Sequence, residues 1–115
     1  MNKNLKSTLK SSFMQYTNKK FNIINRIKLK IREPGYKYIE AYRKGQFCKD
    51  KKSILYFLYK IKIRSYKFKY GIWIPIETKI GDGFQIIHSG GIYINQNTII
   101  GKNFKIRQNC TIGNN

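Results

Sequence analysis

Acid is what this sequence has least of. Five Asp and Glu stand against 24 Lys and Arg, a formal net charge of +19. Such an excess argues against a globule that works without an anionic partner. Nucleic acid, a membrane surface and a phosphorylated small molecule each satisfy that requirement, a plain solvated basic surface with no partner is the competing reading, and charge does not choose among them. Cysteine is nearly as scarce. Cys48 and Cys110 are the only two, far apart, with no CxxC and no histidine at metal-ligand spacing, which excludes a zinc site and a disulfide framework; no metal is expected. Long hydrophobic runs are missing too. The densest, "SILYFLYKIKI" at 53 to 63, is broken by lysines and falls well below the roughly 18 apolar residues that span a bilayer. The N-terminus has neither an apolar block nor a small-residue cleavage site of signal-peptide kind, so a cytoplasmic location is expected. Histidine occurs once, as His88.

What is present divides into two periods, within a length of 115 residues that suits one modest domain. Residues 1–70 read as a basic helical region. From about residue 18, Phe21, Ile24, Ile27 or Lys28, and Ile31 recur at helical spacing. Pro34 and Gly35 then stop the element. A second helix is predicted over Tyr36 to Phe47, with Ile39 and Tyr42 or Arg43 on one face. A third is predicted over Lys51 to Lys67, with Ile54, Leu55, Leu58, Ile61 and Tyr66 or Phe57 buried and Lys60, Lys62, Arg64 and Lys67 outside.

Residues 71–115 obey a different rule. Ile74, Ile80 and Ile86 recur every six residues; after a two-residue step at Ile92 and Tyr93, Ile94, Ile100, Ile106 and Ile112 resume the same six. Four residues past them come Thr78, Phe84, Gly90, Thr98, Phe104 and Cys110, small or apolar. One isoleucine per unit pointing inward, with Gly or Asn at the corners where a left-handed backbone is needed, predicts a parallel β-helix. The fold class expected is α+β: an N-terminal helical segment followed by a left-handed parallel β-helix of hexapeptide repeats, about two coils of it, in incomplete form. A β-meander with simple alternation is the competing reading and would not keep one register over so long a stretch.

The segments "PGYKYIEAYRKGQF", "KYGIWIPIETKIGDGFQIIHSGGIYIN" and "TIIGKNFKIRQNCTIG" resemble the hexapeptide-repeat acyltransferases, and within them the serine acetyltransferase-like enzymes found among polysaccharide-modifying acetyltransferases. The resemblance covers roughly residues 33–115, with its most specific part in the His-x-Gly-Gly context at 88–91 and the register step. It implies a left-handed β-helix behind a helical domain, a trimeric assembly, acetyl-CoA as co-substrate, a hydroxyl of serine or a sugar as acceptor, and His88 as the general base. An imidazole near neutrality can take a proton from a hydroxyl as it attacks a thioester, an effect of about 10²–10⁴ in rate. The amides of Gly90 and Gly91, without Cβ atoms in the way, are candidates for holding the oxyanion. Gly113 falls at the edge of the implied acetyl-CoA groove. Ser89 reads as a loop residue, with no activating partner at hand.

Three departures from the family's pattern stand out. Ile87 occupies the place of an Asp that precedes the catalytic histidine and holds serine's amino group. Trp73 occupies the place of an Asp that orients the imidazole, so a sugar hydroxyl is as good an acceptor as serine. The sequence ends at "TIGNN" after little more than two coils, which reads as a truncated chain. Two other readings stay open. One is a basic module for nucleic acid or an anionic membrane, in which peripheral membrane contact is expected while the scattered lysines and the lack of a nucleic-acid motif argue against nucleic acid. The other is an inactive assembly partner of a longer homologue.

Overall fold

The computed structural model describes residues 3–49 and 53–113. Four helices come first: α1 (Lys3–Tyr16), α2 (Ile23–Arg32), α3 (Pro34–Cys48) and α4 (Ile54–Tyr70). Seven short strands succeed them: β1 (Ile72–Trp73), β2 (Lys79–Ile80), β3 (Gln85–Ile87), β4 (Ile92–Ile94), β5 (Ile99–Ile100), β6 (Lys105–Arg107) and β7 (Thr111–Ile112). Helix α1 is an addition, since helical periodicity is legible only from residue 18. The predicted start of the third helix at Lys51 and the last two residues of "TIGNN" lie outside the described residues.

The helix boundaries reflect local chemistry. Asn22 opens α2 by accepting the amide of Asn25 at 2.8 Å. Pro34 does not separate two helices by a gap, as the sequence suggests. It forces Glu33 into an extended conformation and itself sits in the first turn of α3, where its missing N–H costs nothing, so α3 begins two residues earlier than predicted. Gly71, at φ 67°, ends α4 in the left-handed cap that glycine adopts without strain.

Helix α2 faces the opposite way from the prediction; α4 keeps Tyr66 inside and Lys60, Lys62, Arg64 and Lys67 outside as predicted but exposes the predicted aliphatic stripe. Helix α2 exposes Ile24, Ile27 and Ile31 and buries Arg26 and Leu29. Helix α4 exposes Ile54, Leu55, Phe57, Leu58 and Ile61 and buries Tyr56, Ile63 and Tyr66. For α2 the reason lies in α3, which is buried along most of its length and carries a carboxylate, Glu40, only 2% exposed. A buried charge needs a partner. Arg26 supplies it with two bonds of 3.1 and 3.2 Å to the two carboxylate oxygens, and Tyr36 donates a third at 2.8 Å. Satisfying Glu40 turns the polar side of α2 inward and leaves its isoleucine stripe outside. Burial alone would raise the Glu40 pKa; hydrogen bonds from Arg26 and Tyr36, with the charges of Arg26 and Lys44, outweigh it and hold the group below the ordinary carboxylate range.

The strand region does not form the expected β-helix. Its strands are two or three residues long and make three small parallel sheets, one in the order β1-β4-β7 and two pairs, β2-β5 and β3-β6, with no closed or coiled β-helix among the described residues. The six-residue isoleucine period is nonetheless a period of burial. Ile80 lies beside Ile100, Ile86 beside Ile106 and Ile94 beside Ile112 in register. What the period does not encode is closure. Ile74, Ile80 and Ile86 share one apolar cluster with Tyr38, Tyr42, Ile63 and Tyr66, so helices supply much of the wall that a prism would have built from further strands.

The layer made by residues 72–87 has strand neighbours on one side only, and the backbone groups on its other side are met by helix side chains. Tyr38 donates to the carbonyl of Ile74 and accepts its amide, both at 2.8 Å; Tyr16 does the same for Ile86, again at 2.8 Å. Ser12 donates to Phe84 at 2.6 Å, Tyr42 to Thr78, and Arg43 to Ile80 and Gly81 at 2.7 Å each. Burial pushes the phenols of Tyr16, Tyr38 and Tyr42 above their ordinary range and so keeps them as donors. Gly35 allows the close approach: a Cβ there would lie 2.7 Å from both Cβ and O of Ile86.

Two outcomes test this arrangement. Gly35→Ala is expected to destabilise the fold by about 1–3 kcal/mol in denaturant unfolding, because the added methyl has no room. Glu40→Gln is expected to cost about 3 kcal/mol at neutral pH by leaving Arg26 buried without its counter-ion. The depressed carboxylate stabilises the fold above its unfolded value, about pH 4.3, and that contribution is lost as the pH falls through the folded value. Thermal scans across the acid range should therefore show a steeper loss in the wild type than in Glu40→Gln.

Candidate functional site

The turn from β3 to β4 holds the single histidine. In the ladders built on β1 to β3, partners are twenty residues apart, as in Ile87↔Arg107, whereas from Tyr93↔Thr111 onward they are eighteen apart. The two extra residues thus fall within 88–91, "HSGG", and not at Ile92 and Tyr93. Ile92 itself pairs with Ile72 and is buried. The longer turn carries the chain from the β3-β6 sheet to the β1-β4-β7 sheet.

Backbone conformation sets this turn apart. His88 has φ 61°, and the other non-glycine residues with positive φ among those described are Asn103 and Asn109. Asparagine occupies that region readily; for an ordinary L residue it costs on the order of 1–2 kcal/mol. The His88 side chain is exposed and makes no hydrogen bond or ion pair within the described residues, so nothing local explains its placement. Gly90 and Gly91 come next, at φ 114° and 63°. A Cβ on Gly91 would lie 2.5 Å from Oδ1 of Asn109 and 3.2 Å from its Cα, while a Cβ on Gly90 would meet nothing within 4 Å. The carbonyl of Gly90 accepts the Asn109 amide at 2.9 Å. The structure therefore brings His88, Gly90 and Gly91 into one turn. Gly113 belongs elsewhere: it is exposed just after β7 of the β1-β4-β7 sheet, whereas His88 directly follows β3 of the β3-β6 sheet.

The two positions that depart from the family pattern lie apart from each other. Ile87 ends β3 beside Arg107. Trp73 lies in β1 beside Tyr93, with the Lys67 ammonium 5.1 Å from its ring centroid. No carboxylate pairs with His88 among the described residues, and Glu77 is engaged by Lys60 at 3.9 Å.

Sequence reasoning missed a groove of about 560 Å³ between α4 and the strands, lined by Lys60, Arg64, Trp73, Tyr93, Asn95 and Gln96 among others. It does not include His88, but Trp73 is two residues from Gly71, whose Cβ position would be 3.0 Å from Gly90 Cα and Gly91 N. Part of the signal was present in "IYINQN", where Tyr93 stands between buried Ile92 and Ile94 and three side-chain amides follow; aromatic faces beside side-chain amides make a surface suited to a polar ligand with apolar faces.

No protein-family model matches the chain, and no curated protein matches it. Among solved structures its fold is similar to that of a serine acetyltransferase. That structure is the crystal structure of serine acetyltransferase from Vibrio cholerae O1 biovar El Tor, with a TM-score of 0.72 and 17% sequence identity over 96% of this chain and 42% of that one. The chain spans about two-fifths of that protein's length, and the likeness establishes a serine acetyltransferase-like fold.

The strain at residue 88 is open to measurement. His88→Gly, which removes an exposed side chain from a left-handed backbone, should hold or raise stability in urea. Gly91→Ala should lower it by about 1–2 kcal/mol through φ strain and the Asn109 contact.

Proposed function

We propose that the chain provides the histidine-bearing part of an acetyl-CoA-dependent O-acetyltransferase, with His88 as general base and a hydroxyl as acceptor. The observation that carries this reading is the lone imidazole held in a strained, exposed, two-residue-longer turn beside a glycine pair, within a serine acetyltransferase-like fold. In the proposed reaction the acceptor oxygen attacks the thioester carbonyl as His88 takes the hydroxyl proton. The carbon–sulfur bond breaks, and the proton passes to the departing CoA thiolate. The Gly90 and Gly91 amides are proposed to face the oxyanion, and Gly113 to border the cofactor.

For the acceptor, the groove beside Trp73 and Tyr93 favours a sugar over serine. Aromatic faces stack on the apolar faces of a pyranose, and the amides of Asn95 and Gln96 can bond its hydroxyls. Among the described residues no carboxylate pairs with His88, which leaves no counter-charge there for an amino group. A homotrimer, in which a neighbouring chain completes the cofactor groove, and a cytoplasmic setting belong to the same proposal, as does the division into a helical region, 1–70, and a strand region, 71–115. No helix among the described residues is long and apolar enough to cross a membrane.

Purified chain incubated with acetyl-CoA and either L-serine or simple sugars, with free thiol followed over time, tests the proposal. Thiol release with a sugar should fall by about 10²-fold or more in His88→Ala. Equal rates in wild type and variant would remove His88 from the chemistry.

A further inference from the structure

The helical side of the molecule carries a cleft of different chemistry, about 240 Å³ in volume, between α2, α3 and α4. Four ammonium groups line it: Lys30 from α2, Lys37 and Lys44 from α3, and Lys62 from α4. One carboxylate, Glu40, faces them, and it is already held by Arg26 and Tyr36. Lys30 and Lys44 reach its Oε1 at 3.5 and 3.3 Å. Among the described residues Lys37 meets the Tyr70 hydroxyl, at 3.3 Å, and the ring faces of Tyr66 and Tyr70, and no carboxylate. Lys62 forms no ion pair among the described residues. Like charges so placed raise one another's cost: burial first, then the charges of Lys30, Lys44 and Lys37, hold the Lys62 ammonium below its ordinary range.

We infer that this cleft is a binding site for a phosphate group, whose oxygens would be shared among Lys30, Lys37, Lys44 and Lys62. A dianionic group supplies the counter-charge that the protein itself does not, and several ammonium donors around one tetrahedral anion are a recurrent phosphate arrangement. The cleft's rim indicates how the phosphate is carried. Ile27 and Ile31 line the cleft and are 47% and 80% exposed; Leu55 and Leu58, outside the lining but four residues before Tyr59 and Lys62 on α4, are 47% and 55% exposed. A cationic floor with an apolar rim suits the headgroup of an anionic phospholipid, with the rim entering the boundary between headgroups and acyl chains. A soluble phosphoester shares the floor chemistry without needing the rim. The inference rests on the helical cleft alone and is independent of acyl transfer at His88.

Two variants of the full chain with equal loss of charge separate a built site from general basicity: Lys37→Gln with Lys62→Gln in the cleft, and Lys102→Gln with Lys105→Gln on the exposed strand side. Co-sedimentation with vesicles of phosphatidylcholine containing phosphatidic acid is the first readout. The cleft pair is expected to weaken binding by about thirtyfold, in line with roughly 1 kcal/mol per lysine at the surface, and the strand pair by less than about threefold. The second readout is the rise in thermal midpoint on adding inorganic phosphate, which a ligand of the native state must produce. A rise lost in the cleft pair and kept in the strand pair shows that phosphate binds without a lipid; vesicle binding that depends on the cleft, with no such rise, assigns the site to lipid. Equal losses in both pairs on vesicles, together with equal phosphate effects, would overturn the inference in favour of diffuse charge. Should the cleft pair fail to fold by circular dichroism, Lys62→Gln alone, at an exposed position, gives the same comparison against Lys102→Gln.

Discussion

A parallel strand layer with nothing on one side is the constraint around which this molecule is organised. Each amide and carbonyl of residues 72–87 that lacks a strand neighbour must find a partner or face the cost of an unmet buried polar group. Helices meet that demand through side chains. Tyr16 and Tyr38 each act as donor and acceptor to a single residue of the layer, imitating a neighbouring strand one residue at a time. Arg43 spreads its guanidinium over two consecutive carbonyls. Tyrosine suits the task because its ring fills the apolar cluster while its hydroxyl reaches the backbone, as Tyr38 and Tyr42 do from α3 and Tyr16 does from α1.

The same constraint explains what the sequence disclosed and what it hid. The burial period of the isoleucines was legible, since it depends on one side-chain type at one spacing. Closure into a β-helix was not, because a period fixes which residues point inward and says nothing of whether strands or helices stand opposite them. The faces of α2 and α4 were misread for a related reason. Apolar periodicity assumes that the apolar side is the buried side; in α2 one carboxylate, Glu40, reverses the assignment by recruiting Arg26, and in α4 Tyr56, Ile63 and Tyr66 take the buried side in place of the aliphatic stripe. Helix α1 escaped notice because its inward groups include Ser12 and Tyr16, whose partners lie about seventy residues away.

Of the candidate site, residue identity was readable and geometry was not. His88 stood out as the only imidazole, and its neighbours Gly90 and Gly91 as a pair without side chains. The left-handed backbone at His88 emerged only from its dihedral angle, and the assignment of the two extra residues to that turn only from strand register. The groove beside Trp73 and Tyr93 joins residues from α4, β1 and β4, a juxtaposition that no linear pattern carries.

The side-chain caps on the first layer also set an order of events. Helix α3 precedes the carbonyls it serves by 30 to 38 residues, and α1 precedes its own by 70 or more. As the chain leaves the ribosome, the helical segments emerge before the backbone that completes them, so Tyr38, Arg43 and Tyr16 stay hydrogen-bonded to water until residues 74, 81 and 86 have followed. Closing those long loops is the entropically costly step. Until it occurs, the nascent protein is a set of sticky helices carrying an unfinished core.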